Sequence, residues 1–110
     1  MLETFRALAE PNRLQIVDLL LREPLPVGTV AERLGMRQPQ ASKHLRALVE
    51  CGLVEMRPEA QRRICALRAE PLQELDRWLS RYRAMWEEQF VRLDGVLAEM
   101  QDTKTKRRKK

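Results

Sequence analysis

Residues 36–49 read Met-Arg-Gln-Pro-Gln-Ala-Ser-Lys-His-Leu-Arg-Ala-Leu-Val and hold the densest set of recognition chemistry in the chain. Gln38, Gln40 and Ser42 supply amides and a hydroxyl, and Lys43 and Arg46 supply cations. A glutamine can pair bidentately with adenine and an arginine with guanine, whereas either cation can also rest on phosphate and contribute affinity without sequence choice. At about 100° per residue Ala41, Leu45, Leu48 and Val49 fall on one stripe with His44 at its edge, while Lys43, Arg46 and Ala47 point away. Pro39 suits a first helical residue, which needs no amide partner, and Gln38 before it can act as a modest cap. The pattern predicts a helix held by an apolar seam, with a polar face turned to a base-bearing partner.

That helix needs a frame. Upstream, Val27, Val30, Ala31 and Leu34 mark a short helix closed by Gly35, a residue suited to a left-handed cap. Gly35-Met36-Arg37-Gln38 is then the turn, and two short helices joined by a glycine-containing turn make a helix-turn-helix. Downstream, Cys51-Gly52 stops the reading helix. Leu53, Val54 and Met56, then Arg63, Ile64, Cys65, Ala66 and Leu67, read as two β segments around a polar loop at 57–62. A basic hairpin placed there is a wing, with Arg57, Arg62 and Arg63 as its cations.

The stretch from Leu8 to Leu67 resembles the ArsR-type winged helix-turn-helix repressors. Leu8-Ala9-Glu10-Pro11-Asn12-Arg13-Leu14 resembles their "LADPTRL" opening, and Val27-Gly28-Thr29-Val30-Ala31-Glu32-Arg33-Leu34-Gly35 is similar to the helix before their turn. Gln38-Pro39-Gln40-Ala41-Ser42-Lys43-His44-Leu45-Arg46-Ala47-Leu48 resembles "QPTVSKHLKVL", and Cys51-Gly52-Leu53-Val54 resembles "AGLV". The resemblance implies a mainly α fold with a small β-hairpin, a reading helix whose N-terminal half enters the major groove, and dimerisation through the first and last helices. It departs from the metal-sensing members, which carry a cysteine pair ("ELCVCDL") where Pro26 and Gly28 stand here. The last helix also has no histidine, and one His with two separated Cys cannot build a soft-metal site within one chain. No metal or other cofactor is therefore expected, and the non-metal branch is the nearer likeness. An unknown small-molecule inducer is left open.

The remaining segments fit around this. Leu2, Phe5, Leu8 and Ala9 predict a short first helix, ended by Glu10-Pro11. Residues 12–23 carry too many leucines for one narrow stripe and predict a central core helix; Leu25-Pro26 then breaks the chain. After Glu70-Pro71, apolar residues recur at steps of three or four from Leu72 to Met100. Thirty residues at ~1.5 Å make a rod of about 45 Å, longer than so small a domain can cover, so the seam must meet something. Its near-heptad spacing favours a second copy over a ligand cavity, with Leu79, Tyr82, Trp86, Phe90, Leu93 and Leu97 as interface candidates, and the resemblance implies that Leu2 and Phe5 of the first helix join them.

Composition agrees with one domain over 1–103 and a disordered basic tail over 104–110. The tail holds six of the 21 cations behind the net charge of +5. Without it the charge still segregates: residues 1–32 sum to −2, residues 33–68 to +5 and residues 69–103 to −4. Positive charge gathered on the reading helix and wing is the footprint of a nucleic-acid surface. No signal peptide or membrane span is read, which predicts a cytoplasmic protein. Cys51 and Cys65 read as small core residues rather than a disulfide framework, with a redox sensor, which would need a low-pKa, accessible thiol, left open, and His44 reads as a structural side chain rather than a ligand. There is no nucleophile-base-acid set and no glycine-rich phosphate loop, so no enzyme is expected. A winged module that docks another protein would instead lack DNA affinity. The whole predicts a dimeric repressor reading an inverted repeat whose half-sites lie one duplex turn, roughly 34 Å, apart.

Overall fold

A computed structural model describes the backbone of residues 1–108 and the side chains through residue 102. The elements run α1 (Leu2–Leu8), α2 (Pro11–Leu20), β1 (Leu25–Pro26), α3 (Val27–Leu34), α4 (Gln38–Glu50), β2 (Val54–Glu59), β3 (Arg62–Leu67) and α5 (Ala69–Arg108). Five helices and a small antiparallel sheet of order β1-β3-β2 make a winged helix-turn-helix with a long C-terminal helix. The chain divides into two compact units, Met1–Leu75 and Asp76–Lys110.

In the first unit, α2 is central, packing against α1, α3, α4 and β3. It buries Ile16, Val17 and Leu20 and leaves Leu14 and Leu21 exposed, so its excess of leucines is only partly used inside. Leu45 and Leu48 of α4, Val30 of α3, Leu53, Val54 and Cys65 complete the core with almost no solvent exposure. Burying one such aliphatic side chain is worth about 1.5–3 kcal/mol.

Two glycines close the helices on either side of the turn. Gly35 sits at φ 65°, ψ 31°, with its N–H donating to the Glu32 carbonyl and the Met36 N–H donating to Ala31 at 2.9 Å. The same pattern recurs at Gly52 (φ 80°), whose N–H donates to Val49 while Leu53 donates to Leu48. Both are Schellman closures, which need a left-handed residue after the helix. Helix α4 opens one residue earlier than its proline suggests. Gln38 is already helical, Arg37 is the N-cap in extended conformation, and no side chain caps the turn.

The hairpin is longer and tighter than its sequence suggests. Strands β2 and β3 pair from Val54↔Leu67 to Glu59↔Arg62, leaving a two-residue turn, Ala60-Gln61, with Ala60 at φ 57°. Pro58 is accommodated because β2 is an edge strand, where its missing N–H breaks no ladder. Leu25-Pro26, expected only to break the chain, pairs with Cys65 and Ile64 as the other edge.

In the second unit α5 continues without interruption to Arg108. The helix therefore runs past residue 103, where the sequence suggested that order would end. Lysine and arginine are good helix formers and nothing in the sequence breaks the turn. The side chains of the basic stretch, and Lys109 and Lys110 altogether, lie outside the described residues. Among the described residues no helix is long and apolar enough to cross a membrane.

Candidate nucleic-acid interface

Helix α4 and the β2–β3 hairpin enclose a groove of about 570 Å³. From α4 it receives Gln38, Ser42 and Arg46, spaced four residues apart and so stacked along one face. The hairpin adds Gln61, Arg62 and Arg63. Val49 and Met56 supply the apolar part of its wall, and no carboxylate lines it. Three guanidiniums with two amides and a hydroxyl, unopposed by any acid, form a surface for a polyanion that also presents hydrogen-bonding edges.

The expected reading group is thus divided. Gln38, Ser42 and Arg46 share the groove, whereas Gln40 and Lys43 are exposed on α4 without lining it. Arg57 does not join the other wing cations. Its guanidinium is held by Glu55, with Nε donating to Oε1 at 2.8 Å, and alternation along β2 puts both on the sheet face opposite Met56. Arg62 and Arg63 remain at the groove. Val49, expected on the buried stripe, is 38% exposed and belongs to the groove wall instead. Sequence reasoning missed Gln61, because placing the turn at 60–61 required knowing that Pro58 is inside a strand.

Behind the reading face, Glu10 ties two helices together. It caps α2, accepting from the Arg13 N–H at 2.9 Å and from Asn12 Nδ2 at 3.2 Å. The same carboxylate lies 3.7 Å from Nδ1 of the half-buried His44 on α4. The Arg13 backbone donor first, with the nearby His44 adding to it, holds the Glu10 carboxyl below its ordinary value of 4.5. His44 is therefore in contact with a helix cap.

Cys65 is fully buried beside Met56, Sγ to Sδ 3.6 Å, and burial pushes its thiol up to about 11. Cys51 is half-buried, and its Sγ donates to the Leu48 carbonyl at 3.3 Å. Among the described residues no three His, Cys, Asp or Glu side chains gather into a set that could hold a metal ion.

Residues 8–57 match a helix-turn-helix domain family. The chain is similar to a solved ArsR family transcriptional regulator, RHA00566, with 30% identity and a TM-score of 0.67 over 77% of this chain and 93% of that one. The chain belongs to the ArsR family. That family consists of transcriptional regulators rather than enzymes. Another ArsR-type neighbour is the homodimeric winged helix-turn-helix domain of Mb0332 from Mycobacterium bovis, 34% identical with a TM-score of 0.62, covering 74% of this chain and 75% of that one. A probable mercury resistance operon repressor of Streptomyces lividans is 40% identical over 58 residues, 53% of this chain and 46% of its own length. The chain spans about half the length of the curated relatives it matches first. The matched residues 8–57 run from the end of α1 into β2 and so include the α4 side of the groove, but not Gln61, Arg62 or Arg63.

Proposed function

We propose that this ArsR protein is a homodimeric repressor that reads an inverted-repeat operator in double-stranded DNA. Helix α4 enters the major groove, Gln38, Gln40, Ser42 and Arg46 meet base edges, and Lys43, Arg62 and Arg63 rest on phosphate. The observation that carries this reading is the acid-free groove into which Gln38, Ser42, Arg46, Arg62 and Arg63 converge from two separate elements. Repression is supported by the S. lividans relative, described as a repressor, and dimerisation by the homodimeric M. bovis neighbour. Leu2 at 63% exposure and the open apolar stripe of α5 offer surface for the second copy.

The inducing signal is not a metal held in the usual family sites, because Pro26 and Gly28 occupy the thiol positions of the metal-sensing members. Footprinting the purified protein on the region upstream of its own gene, with and without added zinc, tests the reading. A protected inverted repeat unaffected by zinc is expected. Absence of protection at low salt would refute DNA reading, and release by zinc would refute the statement about metal.

A further inference from the structure

Two residues of the first unit stand where neither its core nor the proposed DNA face uses them. Arg57 is turned to the sheet face opposite Met56, and Leu21, the C-cap residue of α2, is 62% exposed. Both line one depression of about 330 Å³ between the C-terminal end of α2, the β2–β3 hairpin and the start of α5. Buried Leu20 and Ala66, with half-buried Leu72, form its apolar floor, and Leu21 adds to its wall. Arg22, Arg57 and Arg68 stand exposed around that floor.

The charges around the depression do not cancel. Among the described residues the Arg22 guanidinium has no hydrogen-bond or ion-pair partner. Arg57 is held by Glu55, and Arg68 by Glu70 only loosely, at 3.7 Å. A guanidinium carries five N–H donors in a planar fork, so a single carboxylate leaves donors unused, and exposed pairs of this kind hold weakly. Among the described residues Glu23 is the one carboxylate on the lining, and it pairs at 3.5 Å with Arg33, which lies outside.

We propose that this depression binds a small organic carboxylate, its head among Arg22, Arg57 and Arg68 and its short apolar body on Leu20, Leu21 and Leu72. Apolar floor and guanidinium rim together select that class. An inorganic anion gains nothing from the leucines, and a neutral apolar molecule gains nothing from the arginines. The exposed rim leaves the head partly hydrated, which keeps its desolvation cost low. The volume is at the small end of ligand pockets and suits a body of several carbons rather than a helix of a partner protein. The depression and the nucleic-acid groove share no lining residue, so the proposal does not depend on DNA reading.

Hexanoate, titrated into the isotope-labelled full chain and followed by amide NMR shifts, is the probe. Saturable shifts are expected at Leu21, Arg22, Ala66, Leu67 and Arg68, with a dissociation constant roughly in the millimolar range for so small a ligand. Hexan-1-ol keeps the body without the charge, and acetate keeps the charge without the body; each should bind about tenfold more weakly or worse. Arg22→Gln combined with Arg68→Gln should weaken hexanoate by about tenfold, and Leu21→Ser by about threefold or more. All three positions are exposed, so these variants keep the fold, which an unchanged urea midpoint verifies. Shifts confined to residues 79–97 would place the binding on the apolar stripe of α5, and shifts confined to residues 38–49 and 61–63 would place it in the nucleic-acid groove. Either result overturns the site, as do the absence of any saturable shift, acetate or hexan-1-ol binding as tightly as hexanoate, and folded variants that bind it unchanged.

Discussion

His44 Nδ1 on the reading helix lies 3.7 Å from Oε2 of Glu10, the residue that caps the central helix. One carboxylate thus closes the N-terminus of α2 and faces α4 where α4 crosses it. Because the fold holds the Glu10 carboxyl below 4.5, it favours the charged form. Its stabilising contribution is fully present above pH 4.5 and is lost as pH falls through the depressed value. Glu10→Gln removes that dependence. Urea unfolding as a function of pH should show the parent more stable than the variant at neutral pH, with the gap closing in acid. A gap that persists unchanged at pH 3 would mean that the charge on Glu10 does not matter.

The hairpin turn stores strain at Ala60. A non-glycine residue at φ 57° occupies a region that costs about 1 kcal/mol or more, and glycine adopts it freely. Ala60→Gly should therefore raise stability by up to about 1 kcal/mol, read as a higher midpoint in urea at unchanged slope. A lower midpoint would show that the greater freedom of glycine in the unfolded chain outweighs the relief.

Gly35 and Gly28 should respond in opposite ways. A Cβ at either position would meet nothing within 4 Å, so packing does not separate them; the backbone does. Gly35 is left-handed at φ 65°, and Gly35→Ala should cost about 1 kcal/mol and loosen the turn before α4. Gly28 lies in the first turn of α3 without positive φ, and Gly28→Ala should be neutral or gain up to about 1 kcal/mol. Thermal unfolding of the two variants side by side checks the sign of each.

The two thiols should be distinguishable in the native protein. With its thiol near 11, Cys65 has roughly one part in ten thousand as thiolate at pH 7, and it is also sealed from solvent. Native titration with a thiol-specific disulfide reagent should consume Cys51 first, with Cys65 reacting only after unfolding. Equal rates at both would show that the core around Met56 opens readily.

Much of this architecture was legible in the chain because local and tertiary preferences coincide. Gly35 and Gly52 mark both helix ends, since only a left-handed residue closes a Schellman motif comfortably. Ala41, Leu45 and Leu48 are buried where periodicity puts them. The misreadings occur where tertiary context decides. Pro58 looks like a loop residue and is tolerated only because β2 lies at the sheet edge. Leu25-Pro26 is too short to signal a strand without its partner β3. Val49 has the right period for the core, but the wing leaves an open groove beside it. Arg57 has the right charge for the wing, but strand alternation turns it to the other face, where Glu55 holds it.

That division of the wing cations predicts how binding should depend on salt. Arg62 and Arg63 border the groove and face the proposed phosphate track, whereas Arg57 is paired with Glu55 on the opposite face. Arg62→Ala and Arg63→Ala should each weaken operator and random duplex alike and reduce the slope of log K against log salt by about one. Arg57→Ala should leave that slope unchanged. Within α4, Gln38→Ala and Arg46→Ala should cost about 1–3 kcal/mol on the operator and much less on random duplex, since a base-edge contact is lost only where the base is present. Fluorescence anisotropy titrations at several salt concentrations separate the two behaviours. Arg46→Ala lowering the salt slope and affecting both duplexes equally would move Arg46 from base reading to phosphate anchoring, and leave Gln38 and Ser42 as the readers on the groove side of α4.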